Sequence, residues 1–126
     1  MTAAASTKIL IVEDDPGTRR LLQVCLRAIP AEQLVAADGA RAIELLASHR
    51  VDLVITDLGL PAVSGLEILQ HMRSVPALER VPVIMLSLIG DPDIPQRSQA
   101  AGAQAYFVKP FSPTSLVAVA RKLLQA

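Results

Sequence analysis

Short apolar runs alternate along the chain with longer segments in which apolar positions recur every three or four residues. Runs of strand length occur at Lys8–Val12, Leu34–Ala36, Asp52–Thr56, Val81–Leu86 and Ala105–Val108, each followed by turn or cap residues. In the first, third and fourth, the stretches ILIV, LVI and VIML are continuously apolar. Such strands belong in a parallel sheet covered on both faces. The second run, LVAA, is weaker and predicts an edge strand. Helical spacing fills the intervals at Pro16–Ala28, Ala40–Ser48, Gly65–Arg73, Ile94–Ala101 and Ser112–Leu124. Asp15 before Pro16, Asp38 and Ser64 are the expected N-caps of the first three helices. Strand and helix alternate five times, which predicts an α/β protein built as a right-handed, doubly wound (βα)₅ sheet.

Composition narrows the class further. The chain has 126 residues, 52% of them apolar, with one Tyr, two Phe and no Trp, so its core must be built from aliphatic layers. No repeat, low-complexity tract or linker divides it, and one domain over residues 1–126 is expected, with a short polar tail at residues 1–7. Twelve basic residues balance twelve acidic ones, so no overall field favours nucleic acid or an anionic membrane, and direct binding to either is not expected. No apolar run approaches the roughly 18 residues of a membrane span. A single cysteine, Cys25, cannot form an internal disulfide, and Met1–Thr7 lacks the pattern of a secretory leader, which makes the cytoplasm the expected location. Cys25 reads as a small packing hydrophobe, and His49 and His71, late in the second and third helices, as solvated helix residues.

Candidate chemistry gathers at one end of the strands. Glu13-Asp14-Asp15 follows the first, Asp57 the third, Ser87 the fourth and Lys109 the fifth. In an open parallel sheet ligands bind beyond the C-terminal strand ends, and the flavodoxin-like order 2-1-3-4-5 sets strands one and three side by side at the switch point. The opposite ends carry only Lys8 and Asp52. Taken singly, each residue has a plainer reading: Asp15 as a helix cap, Glu13 and Asp14 as solvated loop acids, Asp57 as a turn acid before Pro61, Ser87 as a loop cap and Lys109 as a snorkelling side chain. Their joint placement favours a site. Crowded carboxylates raise one another's pKa unless a cation is present, and hard oxygen ligands suit Mg²⁺, which commonly bridges carboxylates to phosphate oxygens.

The blocks ILIVEDDPGTRRLL, DLVITDLGLPAVSGLEIL, PVIMLS and GAQAYFVKPF, in this order and spacing, resemble the successive signatures of response-regulator receiver domains. The resemblance covers nearly the whole chain. It implies that Asp57 is the phosphoacceptor, Asp14 a direct Mg²⁺ ligand, Glu13 its companion through a metal-bound water, and Gly59 a ligand through its backbone carbonyl. Ser87 and Lys109 would bind the phosphoryl group, Lys109-Pro110 would be a cis peptide, and Ser87 and Tyr106 would form the switch. The implied donor is a phosphohistidine on a sensor histidine kinase or histidine phosphotransfer protein. The surface of helix four, strand five and helix five would meet an output partner or domain not identifiable from sequence, or a second copy in a homodimer.

The chain departs from this pattern in two places. Leu88 stands where a small residue is usual, and by resemblance Gly59 and Ile89 flank the path of the hydrolytic water, so Leu88 and Ile89 are expected to restrict access to Asp57. The segment Gly90-Asp91-Pro92-Asp93-Ile94-Pro95 carries two prolines, which delay the fourth helix. Rival readings are a phosphorylation-independent pseudo-receiver, opposed by the intact acid, Ser and Lys set, and an aspartyl phosphohydrolase, opposed by Gly59 where such enzymes usually carry a second acid. A flavin binder is opposed by the acids, which would repel phosphate without a metal.

Overall fold

The computed structural model describes residues 7–88 and 94–125, with the side chains of residues 94 and 95 excepted. Its strands are β1 (Lys8–Val12), β2 (Glu32–Ala36), β3 (Leu53–Asp57), β4 (Val83–Leu88) and β5 (Ala105–Lys109). All neighbouring pairs are parallel, in the order β2-β1-β3-β4-β5. The helices are α1 (Pro16–Cys25), α2 (Gly39–Ser48), α3 (Gly65–Ser74), α4 (Ile94–Ala100) and α5 (Pro113–Gln125).

Continuous apolar strands are explained by two cores, one on each face. Ile9, Ile11, Leu53, Ile55, Ile84 and Leu86 pack with Leu22 of α1 and Leu116 and Ala120 of α5. The alternate residues Leu10, Val12, Val54, Val83 and Met85 pack with α2 and α3 through Leu45, Leu46, Ile68, Leu69 and Met72. Ile9 to Val12 are all fully buried. At about 1.5–3 kcal/mol for each large aliphatic side chain removed from water, these layers dominate the fold's stability.

The predicted caps are in place. Asp15 Oδ2 accepts from the backbone N–H and the hydroxyl of Thr18, both at 2.8 Å. Asp38 accepts from Arg41 N–H, and Ser64 with Glu67 forms a reciprocal capping box. Several boundaries differ from the periodicity. α1 ends at Cys25 and continues as a 3₁₀ turn, Leu26–Ala28. Ser112 caps α5, its Oγ accepting from Ser115 N–H at 3.2 Å, and Pro113 takes the first helical position. β2 begins two residues early, at Glu32, in register with Lys8. β4 starts after Pro82, which has no N–H for the ladder, and runs on through Ser87.

One long side chain ties three segments together. Arg73, half-buried at the end of α3, donates to the carbonyls of Val81 (2.9 Å), Leu78 (3.3 Å) and Gly102 (2.8 Å) and to Gln104 Oε1 (3.2 Å). Gln104 Oε1 also accepts from Val83 N–H at 2.8 Å, so the start of β4 and the α4–β5 turn share one network. Gly102 has φ +103°, and a Cβ there would lie 2.8 Å from Arg73 Nε. Both facts require glycine.

Candidate functional site

The switch point between β1 and β3 brings the sequence-predicted acids together. Glu13 follows β1 and is held by its N–H, which donates to Ala36 O at 3.1 Å, while Asp57 is the last residue of β3. Glu13, Asp14 and Asp57 each offer a carboxylate oxygen, all within 4.8 Å of one another. Glu13 has no exposed surface and Asp57 is 7% exposed, whereas Asp14 is open to solvent. The set is all oxygen, part buried and part open, which fits a hard divalent cation that keeps some of its water. Asp15 stands outside it as the α1 cap.

Lys109 closes the cluster from the end of β5. Its Nζ lies 2.8 Å from Glu13 Oε1 and 3.2 Å from Asp57 Oδ2. The Lys109-Pro110 peptide is cis, as the resemblance implied. Burial pushes the Glu13 carboxyl above its ordinary range, and the nearby Asp57 charge adds to this; hydrogen bonds from Lys109 and from Asp15 N–H only partly offset it. For Lys109, burial alone would lower the pKa, but the hydrogen bond to Glu13 and the Asp57 charge outweigh it, and the net direction is upward. The ammonium is therefore firmly charged, facing two carboxylates.

The loop from β3 to α3 is folded tightly around Asp57. Leu58 N–H donates to Leu86 O at 2.7 Å, and Gly65 N–H to Leu58 O at 3.0 Å. Ala62 takes a left-handed φ of 64° to turn the chain. Gly65 approaches so closely that a Cβ would sit 2.3 Å from the Asp57 carbonyl oxygen. Gly59 N–H points at Asp57 Oδ1 across 3.4 Å, and a Cβ at Gly59 would meet nothing within 4 Å, so this side of Asp57 is open. Two contributors escaped the sequence reading. Gly65 is one, although a glycine directly after a Ser cap was a visible anomaly. Arg19 is the other: its Nη1 donates to Glu13 O at 3.0 Å from the first turns of α1, a contact with no local sequence signal.

Ser87 and Tyr106 are joined directly. Ser87 Oγ is 2.7 Å from Tyr106 Oη and 3.1 Å from the carbonyl of Leu88. Both contacts are hydrogen bonds at once when Ser87 donates to Leu88 O and accepts from the Tyr106 hydroxyl. Tyr106 is half-buried, packed against the core of α2 and α3. Leu88 is 74% exposed at the end of β4, opposite Lys109 in the ladder. Ile89 lies outside the described residues, as does the proline-bearing segment through residue 93.

Fold and site together define a flavodoxin-like α/β domain with an acidic, cation-ready pocket and a buried-edge lysine at its switch point. The chain belongs to the response regulator receiver domain family, whose model matches residues 9–121. It is 34% identical over 117 residues to sporulation initiation phosphotransferase F of Bacillus subtilis, covering 93% of each chain. It is 36% identical over 118 residues to a probable transcriptional regulator, ycf27, of Cyanophora paradoxa, covering 94% of this chain but only 48% of that one. Among solved structures, the receiver domain of a sensor histidine kinase from Pseudomonas aeruginosa PAO1 superposes with a TM-score of 0.86 at 26% identity, covering 97% of this chain and all of that one. That structure holds a magnesium ion in its active site cleft. Receiver domains of two-component systems are thus the chain's relatives throughout its length. No helix among the described residues is long and apolar enough to cross a membrane.

Proposed function

We propose that this domain takes a phosphoryl group onto Asp57 from a phosphohistidine of a sensor histidine kinase or phosphotransfer protein, and that the modification is relayed through Ser87 and Tyr106. The observation that carries the reading is the cluster itself: three carboxylates within 4.8 Å, with the Lys109 ammonium against two of them. A pseudo-receiver would have no use for a fully buried acid such as Glu13, held against a single lysine that also faces Asp57. The relatives found in a phosphotransferase and in a sensor kinase support the same donor class.

Asp57 Oδ1 faces the open side at Gly59 and is the attacking oxygen, whereas Oδ2 is held by Lys109. Mg²⁺, held by Asp14, Asp57, the Gly59 carbonyl and, through water, Glu13, would neutralise charge on the transferring phosphoryl oxygens. Lys109 supplies the second positive charge from the β5 side. Ser87 reaches the phosphoryl group only by turning its hydroxyl away from Leu88 O. That movement withdraws the acceptor from the Tyr106 O–H, and the ring must find a new partner or a new position. The coupling is a shared proton chain with two arrangements. Leu88, exposed at the mouth, restricts small phosphodonors and hydrolytic water, a role shared with Ile89.

Intact mass after incubation with acetyl phosphate tests the assignment. Wild type with Mg²⁺ should gain one phosphoryl group, Asp57→Asn none, and Asp14→Ala should lose the Mg²⁺ dependence while Asp15→Ala keeps it. Equal labelling of Asp57→Asn would place the acceptor elsewhere.

A further inference from the structure

Glu13 is held at each of its polar groups. Its N–H donates to Ala36 O at 3.1 Å, its carbonyl accepts from Arg19 Nη1 at 3.0 Å, and its carboxylate oxygens accept from Lys109 Nζ at 2.8 Å and from Asp15 N–H at 3.1 Å. Asp14, the next residue, is in the opposite situation: it is open to solvent, yet its carboxylate comes together with those of Glu13 and Asp57. An exposed carboxylate is not held in place by packing, so its direction follows from the backbone that carries it.

That backbone is pinned on both sides. A peptide unit is planar, so a bond to the Glu13 carbonyl fixes the orientation of the whole Glu13–Asp14 peptide, Asp14 N–H included. On the other side, Asp15 N–H is bound by Glu13 Oε2, and Asp15 is fixed as the N-cap of α1. The first restraint depends on Arg19. This half-buried residue closes the first turn of α1, where its own N–H donates to Asp15 O at 2.9 Å. Arg19 therefore grips the β1–α1 loop twice, by main chain at Asp15 and by side chain at Glu13.

We propose that Arg19 is a positioning residue of the metal site: through the Glu13 carbonyl it presets the Glu13–Asp14 peptide, and with it the direction of the Asp14 carboxylate, for a divalent cation. Mg²⁺ demands near-ideal octahedral geometry, so a ligand already aimed spares the cost of ordering it on binding. Charge alone predicts the opposite effect, since a guanidinium bound to this loop repels the cation. The proposal rests on the reading of Glu13, Asp14 and Asp57 as a Mg²⁺ site.

Mg²⁺ titration of the metal-free protein, followed by the backbone amide signals of Asp14 and Asp57, tests it, and the same spectra report that each variant is folded. Arg19→Met should bind Mg²⁺ about tenfold more weakly than wild type, the lower end of the loss for an outer partner of a metal ligand. Arg19→Lys, which keeps a charged donor without the planar fork, should fall between the two. Arg20→Met removes the same charge from the exposed neighbour and should bind as wild type does. The Mg²⁺ concentration for half-maximal labelling by acetyl phosphate should rise in Arg19→Met by the same factor as the dissociation constant. Its rate at saturating Mg²⁺ should stay that of wild type, because the bound ion then holds Asp14 itself. Equal Mg²⁺ affinity in wild type and Arg19→Met overturns the proposal, as does tighter binding, the result of charge removal alone, or a loss confined to the saturating rate. If wild type itself shows no saturable Mg²⁺ binding, the reading of the acid cluster falls, and the proposal with it.

Discussion

Replacing Gly65 by alanine tests how closely the β3–α3 loop is built around the nucleophile. The added methyl would lie 2.3 Å from the Asp57 carbonyl oxygen, 2.9 Å from Leu58 Cα and 3.0 Å from the Asp57 carbonyl carbon. Ordinary contact begins at 3.4 Å, so the nearest approach must open by about 1.1 Å, and every atom in the way is backbone. Forcing a methyl into a filled space costs about 1–3 kcal/mol. Alanine's better helix propensity returns at most about 1 kcal/mol. With the full return, a net loss of roughly 0–2 kcal/mol follows from these opposing effects. The kinetic effect should be larger, because the displaced atoms belong to Asp57 itself, and a misplacement near 1 Å can cost about 10²-fold in rate. Urea unfolding measures the first quantity and the rate of labelling by acetyl phosphate the second. Gly59→Ala is the matched control: its Cβ meets nothing within 4 Å, so its unfolding midpoint should equal that of wild type. A Gly65→Ala protein with wild-type midpoint and wild-type labelling rate would refute the argument.

Three further outcomes are expected. Arg73→Met should destabilise by about 2–4 kcal/mol, since it strips a charged donor from three backbone carbonyls and Gln104; Arg73→Lys, lacking the planar fork, should restore only part, and a thermal melt unchanged in Arg73→Met would contradict this. Because the Glu13 carboxyl titrates above its ordinary 4.5 in the folded protein, the folded state binds the extra proton between the two values. Metal-free stability should therefore fall as pH rises through that window, Glu13→Gln should remove the slope, and Mg²⁺ affinity should rise with pH over the same range; denaturant titrations at a series of pH values decide it. Leu88→Ala should speed both labelling by small phosphodonors and phosphate release several-fold, and stopped-flow rates equal to wild type would show that the exposed Leu88 side chain does not gate Asp57.

What could be read from the sequence is what local physics controls. Continuous apolar runs require burial on both faces, and the two separate cores supply it. The caps at Asp15, Asp38 and Ser64 rest on bonds to the N–H three residues ahead, so a short string of residues specifies them. The apolar runs end where β1 and β2 end but one or two residues short of the ends of β3, β4 and β5, because a parallel ladder stops where the neighbouring chain stops. Asp57 pairs with Leu86 and Ser87 with Val108 inside the sheet, and periodicity in one segment carries no record of its partner. The acids were recognisable as a group through the topology rule and the family resemblance. Their electrostatics were not: Glu13 and Lys109, 96 residues apart, meet only because β1 and β5 end on the same edge. Arg73 reaches Gly102 across 29 residues, and His49 and His71 share a cavity, only once α2 and α3 are packed on one face of the sheet. Contacts of that kind depend on how layers stack, and tertiary structure alone decides them.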